Sequence, residues 1–254
     1  VSTETDRAAL ARRAIALVDL TDLADDASAA SVEHLCARAA EHGTAAVCVW
    51  PDFVIQAAAV LSITPVRIAT VVDFPTGDER PHAVGVITER ALADGAHEID
   101  VVLPHRAWLA GDHARAAAVL ATVRAAAGDT ALVKVILETG ELPADRVEDA
   151  ARFAVEHGAD FVKTSTGKTP VSATPEAVAA MLRVIAAADR PVGLKPSGGI
   201  RSVDDAAIYL ALADEAMGPA WATPSTFRFG ASGLLDALLA ELAGEHGARS
   251  DAAY

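Results

Sequence analysis

The chain has 254 residues, 52% of them hydrophobic and 22% charged, with a formal net charge of −14. That apolar share excludes a disordered chain, and the acidic balance argues against nucleic acid and anionic membranes, which need a positive field to offset their phosphates. No apolar stretch is long enough to span a bilayer, no basic start leads into an apolar signal segment, and two cysteines, Cys36 and Cys48, are too few for a disulfide framework, so a cytoplasmic protein is expected.

A helical pattern at 5–15 opens the chain. Short β-branched or apolar runs then alternate with Ala-rich helical stretches. Strands are expected at 16–20, 45–50, 66–73, 97–103, 131–138, 160–165, 191–196 and 226–230. Helices are expected at 28–42, 51–61, 79–94, 112–127, 143–157, 174–188, 202–213 and 232–243. Strands separated by roughly 10–15 residues of helical pattern indicate βαβ units and a parallel sheet. Glu41-His42-Gly43, Asp94-Gly95 and Glu156-His157-Gly158 end helical runs, where Gly accepts a left-handed backbone and His suits the negative end of the dipole. Glu245-His246-Gly247 is expected to close the last helix. Eight such repeats without a linker predict one α/β domain over 1–254, a closed (β/α)8 TIM barrel with an additional N-terminal helix in 1–15 and a tail at 244–254. An open doubly wound sheet is the alternative, but the Gly-rich turn usual after its first strand is missing.

Chemistry in such a barrel gathers at the C-terminal ends of the strands. In chain order these ends carry Asp19, Cys48, Asp73, Asp100, Lys134, Lys163, Lys195 and Ser232. Of 21 basic residues only four are lysine, Lys134, Lys163, Lys168 and Lys195, and an amine can lose a proton where a guanidinium cannot. Three of them lie in apolar strands, where a charged amine is costly unless it is paired or neutral. One reading is buried ion pairing with Asp100, Glu138 or Asp19. The other is amine chemistry. At an ordinary pKa near 10.4 about 1 lysine in 2,500 is neutral at pH 7, and reaching a pKa of roughly 7 takes about 4–5 kcal/mol. A second ammonium about 4 Å away supplies roughly 4 kcal/mol, and desolvation adds to it. Lys163 and Lys195, on the adjacent sixth and seventh strands, are placed for this, and a Schiff base would then make a carbonyl the electron sink of an aldolase.

Glycine tracts follow the last three strands: Thr166-Gly167-Lys168, Ser197-Gly198-Gly199 and Gly230-Ala231-Ser232-Gly233. Converging at one rim beside the fourth lysine, they suggest a phosphate cradle of backbone N–H groups. No histidines stand at metal-ligand spacing, so no metal is expected. Cys48 reads as a small buried residue of the pocket wall, Asp73 as a loop cap, and His105 and His113 as surface or loop residues.

The strings VDLTDL (18–23), RIATVVDFP (67–75), EIDVVLPHRAWLAGD (98–112), LVKVILETGEL (132–142), DFVKTSTGK (160–168), GLKPSGGIR (193–201) and FRFGAS (227–232) resemble class I deoxyribose-phosphate aldolases. The resemblance implies a (β/α)8 barrel that cleaves 2-deoxy-D-ribose 5-phosphate to D-glyceraldehyde 3-phosphate and acetaldehyde without metal or organic cofactor. It implies Lys163 as the Schiff-base lysine, with Lys195 and Asp100 shuttling protons through a water. Asp19, Thr21 and Lys134 would line the pocket, and Gly167, Lys168, Gly198, Gly199 and Ser232 would hold the phosphate, beside Thr166 and Gly233. Two departures stand out: Gly233 replaces a frequent second serine, and Ser197 replaces a common alanine and could return a hydroxyl. Tyr254 matches a tail implied to assist proton transfer; a disordered end is the alternative. A Schiff-base aldolase for another donor and a non-catalytic sugar-phosphate sensor are the rival functions. The expected partners are small phosphosugars and aldehydes, and Ala-rich helix faces could support a homodimer.

Overall fold

The computed structural model describes residues 4–249. Its helices and strands alternate as α1 Glu4–Ile15, β1 Val18–Asp22, α2 Ala29–His42, β2 Ala46–Val49, α3 Val54–Leu61, β3 Arg67–Val72, α4 Pro81–Ala93, β4 Glu98–Val102, α5 His105–Leu109, α6 His113–Ala127, β5 Leu132–Ile136, α7 Val147–Glu156, β6 Phe161–Lys163, α8 Pro175–Ala186, β7 Gly193–Lys195, α9 Val203–Met217, β8 Phe229–Ala231 and α10 Leu234–Leu242. All strand pairs are parallel and run in the order β7-β6-β5-β4-β3-β2-β1-β8. Parallel bridges Leu194–Phe227 and Ser197–Gly230 bring β8 back beside β7 and close the sheet into a barrel. The (β/α)8 expectation and the extra N-terminal helix both hold.

Outward strand residues such as Val47, Ile68, Ile99, Val133 and Val162 pack under the helices in one apolar shell. The helices turn narrow faces to it. On α7 the buried residues are Val147, Ala150, Ala151 and Ala154, the spacing of one stripe of a 3.6-residue helix. Small Ala side chains on these faces bring helix and strand close together. Helix α1 packs against α10 and α9, and Arg7 ties it to Glu241 at 2.9 Å and Asp204 at 2.6 Å.

Several sequence readings need correction. Helix α5 was not expected: five residues after Pro104 form a turn that buries His105 and Trp108. His105 is therefore a core residue at 2% exposure, whereas His113 is exposed and stacks on Trp108 at 5.4 Å. Helix α10 ends before Glu245-His246-Gly247, and the chain turns through Gly244 at φ 86°. His246 instead meets Glu241 at 2.8 Å. The Gly43, Gly95 and Gly158 junctions have the left-handed backbone expected of them. Tyr254 lies outside the described residues.

Asp73 follows β3 and caps its loop as expected, accepting a hydrogen bond from the Glu79 N–H at 2.8 Å. Its other oxygen is buried without a partner, and burial pushes the carboxyl up to about 7. Folding thus strengthens proton binding, so this carboxyl favours the folded state at low pH and loses that contribution as pH rises through 7. Asp73→Asn should gain about 1–2 kcal/mol more stability at pH 8 than at pH 5, read from urea unfolding at both values. An equal gain at the two pH values would contradict the assignment.

Candidate active site

Strand alternation and register put a file of charged residues inside the barrel. Asp100 of β4 pairs in register with Lys134 of β5, and Lys163 of β6 with Lys195 of β7. Lys163 and Lys195 are the last residues of their strands and so reach the mouth, while Asp100 and Lys134 lie one layer down. Gly230 of β8 makes room for this: a Cβ there would stand 3.1 Å from Lys195 Cε and collide with the Ser197 side chain.

Asp100 is the hub. Its Oδ1 accepts from Lys134 Nζ at 2.7 Å, and its Oδ2 accepts from both Lys163 Nζ at 2.9 Å and Lys195 Nζ at 2.8 Å. Two ammonium groups on one oxygen fall inside the roughly 4–6 Å range over which like charges shift one another's proton affinity. Lys195 also meets Asp19 at 2.6 Å, and Lys134 meets Glu98 at 2.7 Å. The ion-pair reading is thus the geometry the lysines adopt, with Asp19 and Asp100 as anticipated. Glu98 takes the place foreseen for Glu138.

The same contacts separate the lysines chemically. Burial drives the Lys163 pKa below the ordinary lysine value and the Lys195 charge adds to it, with Asp100 only partly offsetting them. Burial also opposes the charge on Lys195, but Asp100 and Asp19 outweigh it and hold that pKa well above the ordinary value. For Lys134 burial is outweighed by Asp100 and Glu98. Asp100, though buried, is held well below the usual carboxylate range by the three lysines. The arrangement offers one amine inclined to be neutral beside one held charged.

The remaining wall is split between polar and apolar. Thr21 donates its hydroxyl to the Asp19 carbonyl at 2.8 Å. Cys48 is fully buried, its thiol pKa raised by burial, and packs with Leu23, Ala69, Val71, Trp50 and Phe74 into an apolar flank at the mouth. Among the described residues no group of three His, Cys, Asp or Glu side chains is arranged to hold a metal ion.

Beside the lysines lies a cavity of about 260 Å³, lined by Gly167, Thr169, Pro170, Ser172, Ala173, Gly198, Gly199, Ile200, Arg201, Gly230, Ala231 and Ser232. Gly198 and Gly199 both have left-handed backbones, at φ 79° and 78°, a turn that only glycine makes freely. The N–H groups of Gly167 and Gly199 donate to no other described residue, and Ser232 Oγ is buried without a partner. Helices α8 and α9 are capped by their own Thr174 and Ser202 hydroxyls, whereas α10 has Gly233 before it and no side-chain cap. Its first N–H groups, which follow Ser232 of the cavity wall, therefore have no side-chain cap, an arrangement suited to an oxyanion. Arg201 supplies a cation that the sequence reading missed; only its place after Gly198-Gly199 hinted at it.

Two expected phosphate contacts, Thr166 and Lys168, are placed differently. Thr166 gives both its N–H and its hydroxyl to Glu138, and its hydroxyl accepts from the Lys168 N–H at 3.1 Å, so it shapes the loop rather than lining the cavity. Lys168 turns its ammonium toward exposed Asp25 at 3.5 Å. Gly233 is the N-cap of α10, so it offers its backbone alone. Ser197 points its hydroxyl at the Lys195 carbonyl at 3.4 Å and returns no donor to the cavity. A larger hollow of about 640 Å³, lined by Arg67, Arg124, Arg190 and Arg228 among others, opens at the strands' N-terminal face, away from the amines.

Glu138 itself sits at φ 54°, which turns it away from the lysines and toward Thr166 and Thr169. Glu138→Gln should loosen this loop and weaken binding of inorganic phosphate about tenfold, measured by calorimetric titration. Unchanged phosphate affinity would contradict that role.

A model of the DeoC/LacD family of aldolases matches residues 13–239. A deoxyribose-phosphate aldolase of Agrobacterium fabrum is 49% identical over 244 residues, covering 94% of each chain. A solved structure from Coccidioides immitis, assigned to the same enzyme, superposes with a TM-score of 0.81 at 30% identity, over 90% of this chain and 85% of its own. Another, from Toxoplasma gondii ME49, gives 0.86 at 25% identity over 96% and 98%. With an aldolase's buried lysines at the mouth of its barrel, the chain belongs to the DeoC/LacD family of aldolases.

Proposed function

We propose that the protein reversibly cleaves 2-deoxy-D-ribose 5-phosphate to D-glyceraldehyde 3-phosphate and acetaldehyde through an imine on Lys163. The observation that carries this is the pair of lysines on one Asp100 oxygen, with proton affinities displaced in opposite directions. The half-identical Agrobacterium fabrum enzyme and the oxyanion cavity beside the amines support the substrate.

In the cleavage direction neutral Lys163 Nζ attacks the aldehyde carbon of the open-chain sugar, and the carbinolamine loses water to give a protonated imine. A base removes the proton of the C3 hydroxyl. The C2–C3 bond breaks, its electron pair moves toward the iminium nitrogen, and D-glyceraldehyde 3-phosphate leaves an enamine behind. A proton returned to the enamine carbon, followed by water at the imine carbon, releases acetaldehyde and restores the amine. Asp100, in contact with Lys163, and Lys195, which shares the same Asp100 oxygen, are the buried base and acid for these transfers. Asp19, Thr21 and Lys134 hold the sugar hydroxyls, and Gly167, Gly199, Ser232 and Arg201 hold the phosphate, with Lys168 closing on it from the rim.

We also propose a cytoplasmic location, where the two free cysteines stay reduced, and a homodimer built on exposed apolar helix faces. Exposed Ile55, Val60 and Ile63 near α3, with Val86 and Ile87 on α4, offer the apolar faces. Sedimentation should show a dimer at micromolar concentration, and a monomer there would contradict this part of the reading.

Borohydride reduction in the presence of acetaldehyde should add one two-carbon unit to the peptide containing Lys163. Lys163→Arg should lower turnover by at least about a thousandfold while circular dichroism stays unchanged. A label on another lysine, or an active Lys163→Arg protein, would overturn the imine assignment.

A further inference from the structure

Inside the cylinder lie four side chains with cationic heads, Lys134, Lys163, Lys195 and Arg228, none more than 2% exposed. They face three carboxylates, Asp19, Glu98 and Asp100, each fully buried. Of the other titratable groups, the Cys48 thiol also lies near Lys163, and burial raises its pKa and so favours its neutral form. Arg67 reaches Glu98 at 2.7 Å from the floor, but its side chain is 39% exposed and its charge is screened by water. With every head charged, the described interior holds one cation more than it has anions to match.

An unmatched buried charge is costly, and arginine does not relieve it by losing a proton. A lysine must. Lys195 has Asp19 at 2.6 Å and Asp100 at 2.8 Å, and Lys134 has Glu98 and Asp100, both at 2.7 Å. Among the described residues Lys163 has only Asp100 Oδ2 at 2.9 Å, an oxygen it shares with Lys195. It loses least by becoming neutral.

Arg228 enters just before β8, from the face of the barrel opposite the substrate. It bonds Asp19 Oδ1 at 2.6 Å and Glu98 Oε1 at 3.0 Å, so two of the three carboxylates are divided between it and the lysines. We propose that Arg228 is a positioning residue for the chemistry at Lys163: its fixed charge on the barrel floor creates the cation excess that leaves Lys163 as the neutral amine. This rests on the imine reading of Lys163 given above.

The test is the pH dependence of borohydride trapping of acetaldehyde on Lys163 in wild type, Arg228→Met, Glu98→Gln and the double variant, with folding followed by circular dichroism. Arg228→Met removes the excess and should raise the trapping midpoint by about one pH unit, roughly tenfold less trapping below both midpoints. Glu98→Gln enlarges the excess and should lower the midpoint by about as much. The double variant restores the excess of one and should return close to wild type. Structural damage alone does not move two midpoints in opposite directions. Unmoved midpoints, or shifts of the same sign, would overturn the proposal. Should Arg228→Met fail to fold, Glu98→Gln decides alone: an acid-ward shift supports the proposal, and no shift or an alkaline one overturns it. Wild-type protein unlabelled at Lys163 would overturn the imine reading itself, whereas label at Lys163 with unmoved midpoints would overturn only the role of Arg228.

Discussion

One carboxylate holds the interior together: Asp100 accepts hydrogen bonds from three lysine amines reaching it from three strands. A lone charge at full burial would be expelled or neutralised, so each of these groups is tolerable only because the others are there. A barrel core is ordinarily apolar, filled with branched side chains. Here its middle layers are ionic, and the apolar packing that stabilises the fold lies outside the strands, under the helices. Stability and chemistry thus occupy the two faces of the same sheet. A strand residue shifted by one position would exchange them.

The division extends to the cations. The bidentate arginine at the floor ties Asp19 to Glu98, while the lysines, compact and able to titrate, stand where proton transfer is needed. At the mouth the proposed phosphate cavity is built largely from backbone and hydroxyl donors, with Arg201 at its edge. Neutral donors suit a site that must release its product as readily as it takes substrate. They also leave the charge balance around Lys163 undisturbed when no phosphate is bound.

Lys163, Lys195 and Asp100 were legible in the sequence because a strand of alternating Val, Ile and Phe gives a lysine no bland reason to be there. The eight-fold repeat was legible because the alternation of apolar runs and Ala-rich helices needs no tertiary context. Arg228 and Glu98 were not. Arg228 is one arginine among many and Glu98 opens a strand. Their burial arises only when closure brings residues 209 and 130 positions apart in sequence together, Arg228 with Asp19 and with Glu98. Glu138 and Thr166 misled for a related reason. A left-handed backbone at Glu138 reverses the direction that strand alternation would give it, and Thr166 then serves Glu138 instead of substrate. Helix α5 is too short for periodicity to register.

The chain's four lysines allow the central claim to be read directly. Protein labelled with carbon-13 and nitrogen-15 in lysine alone gives four side-chain signals, whose titration can be followed by nuclear magnetic resonance from pH 6 to 11. Lys163 should lose its proton first, below the ordinary lysine value, with Lys134 and Lys195 still charged when it does. Lys163 remaining protonated through the ordinary lysine range, or Lys195 titrating before it, would contradict the central claim.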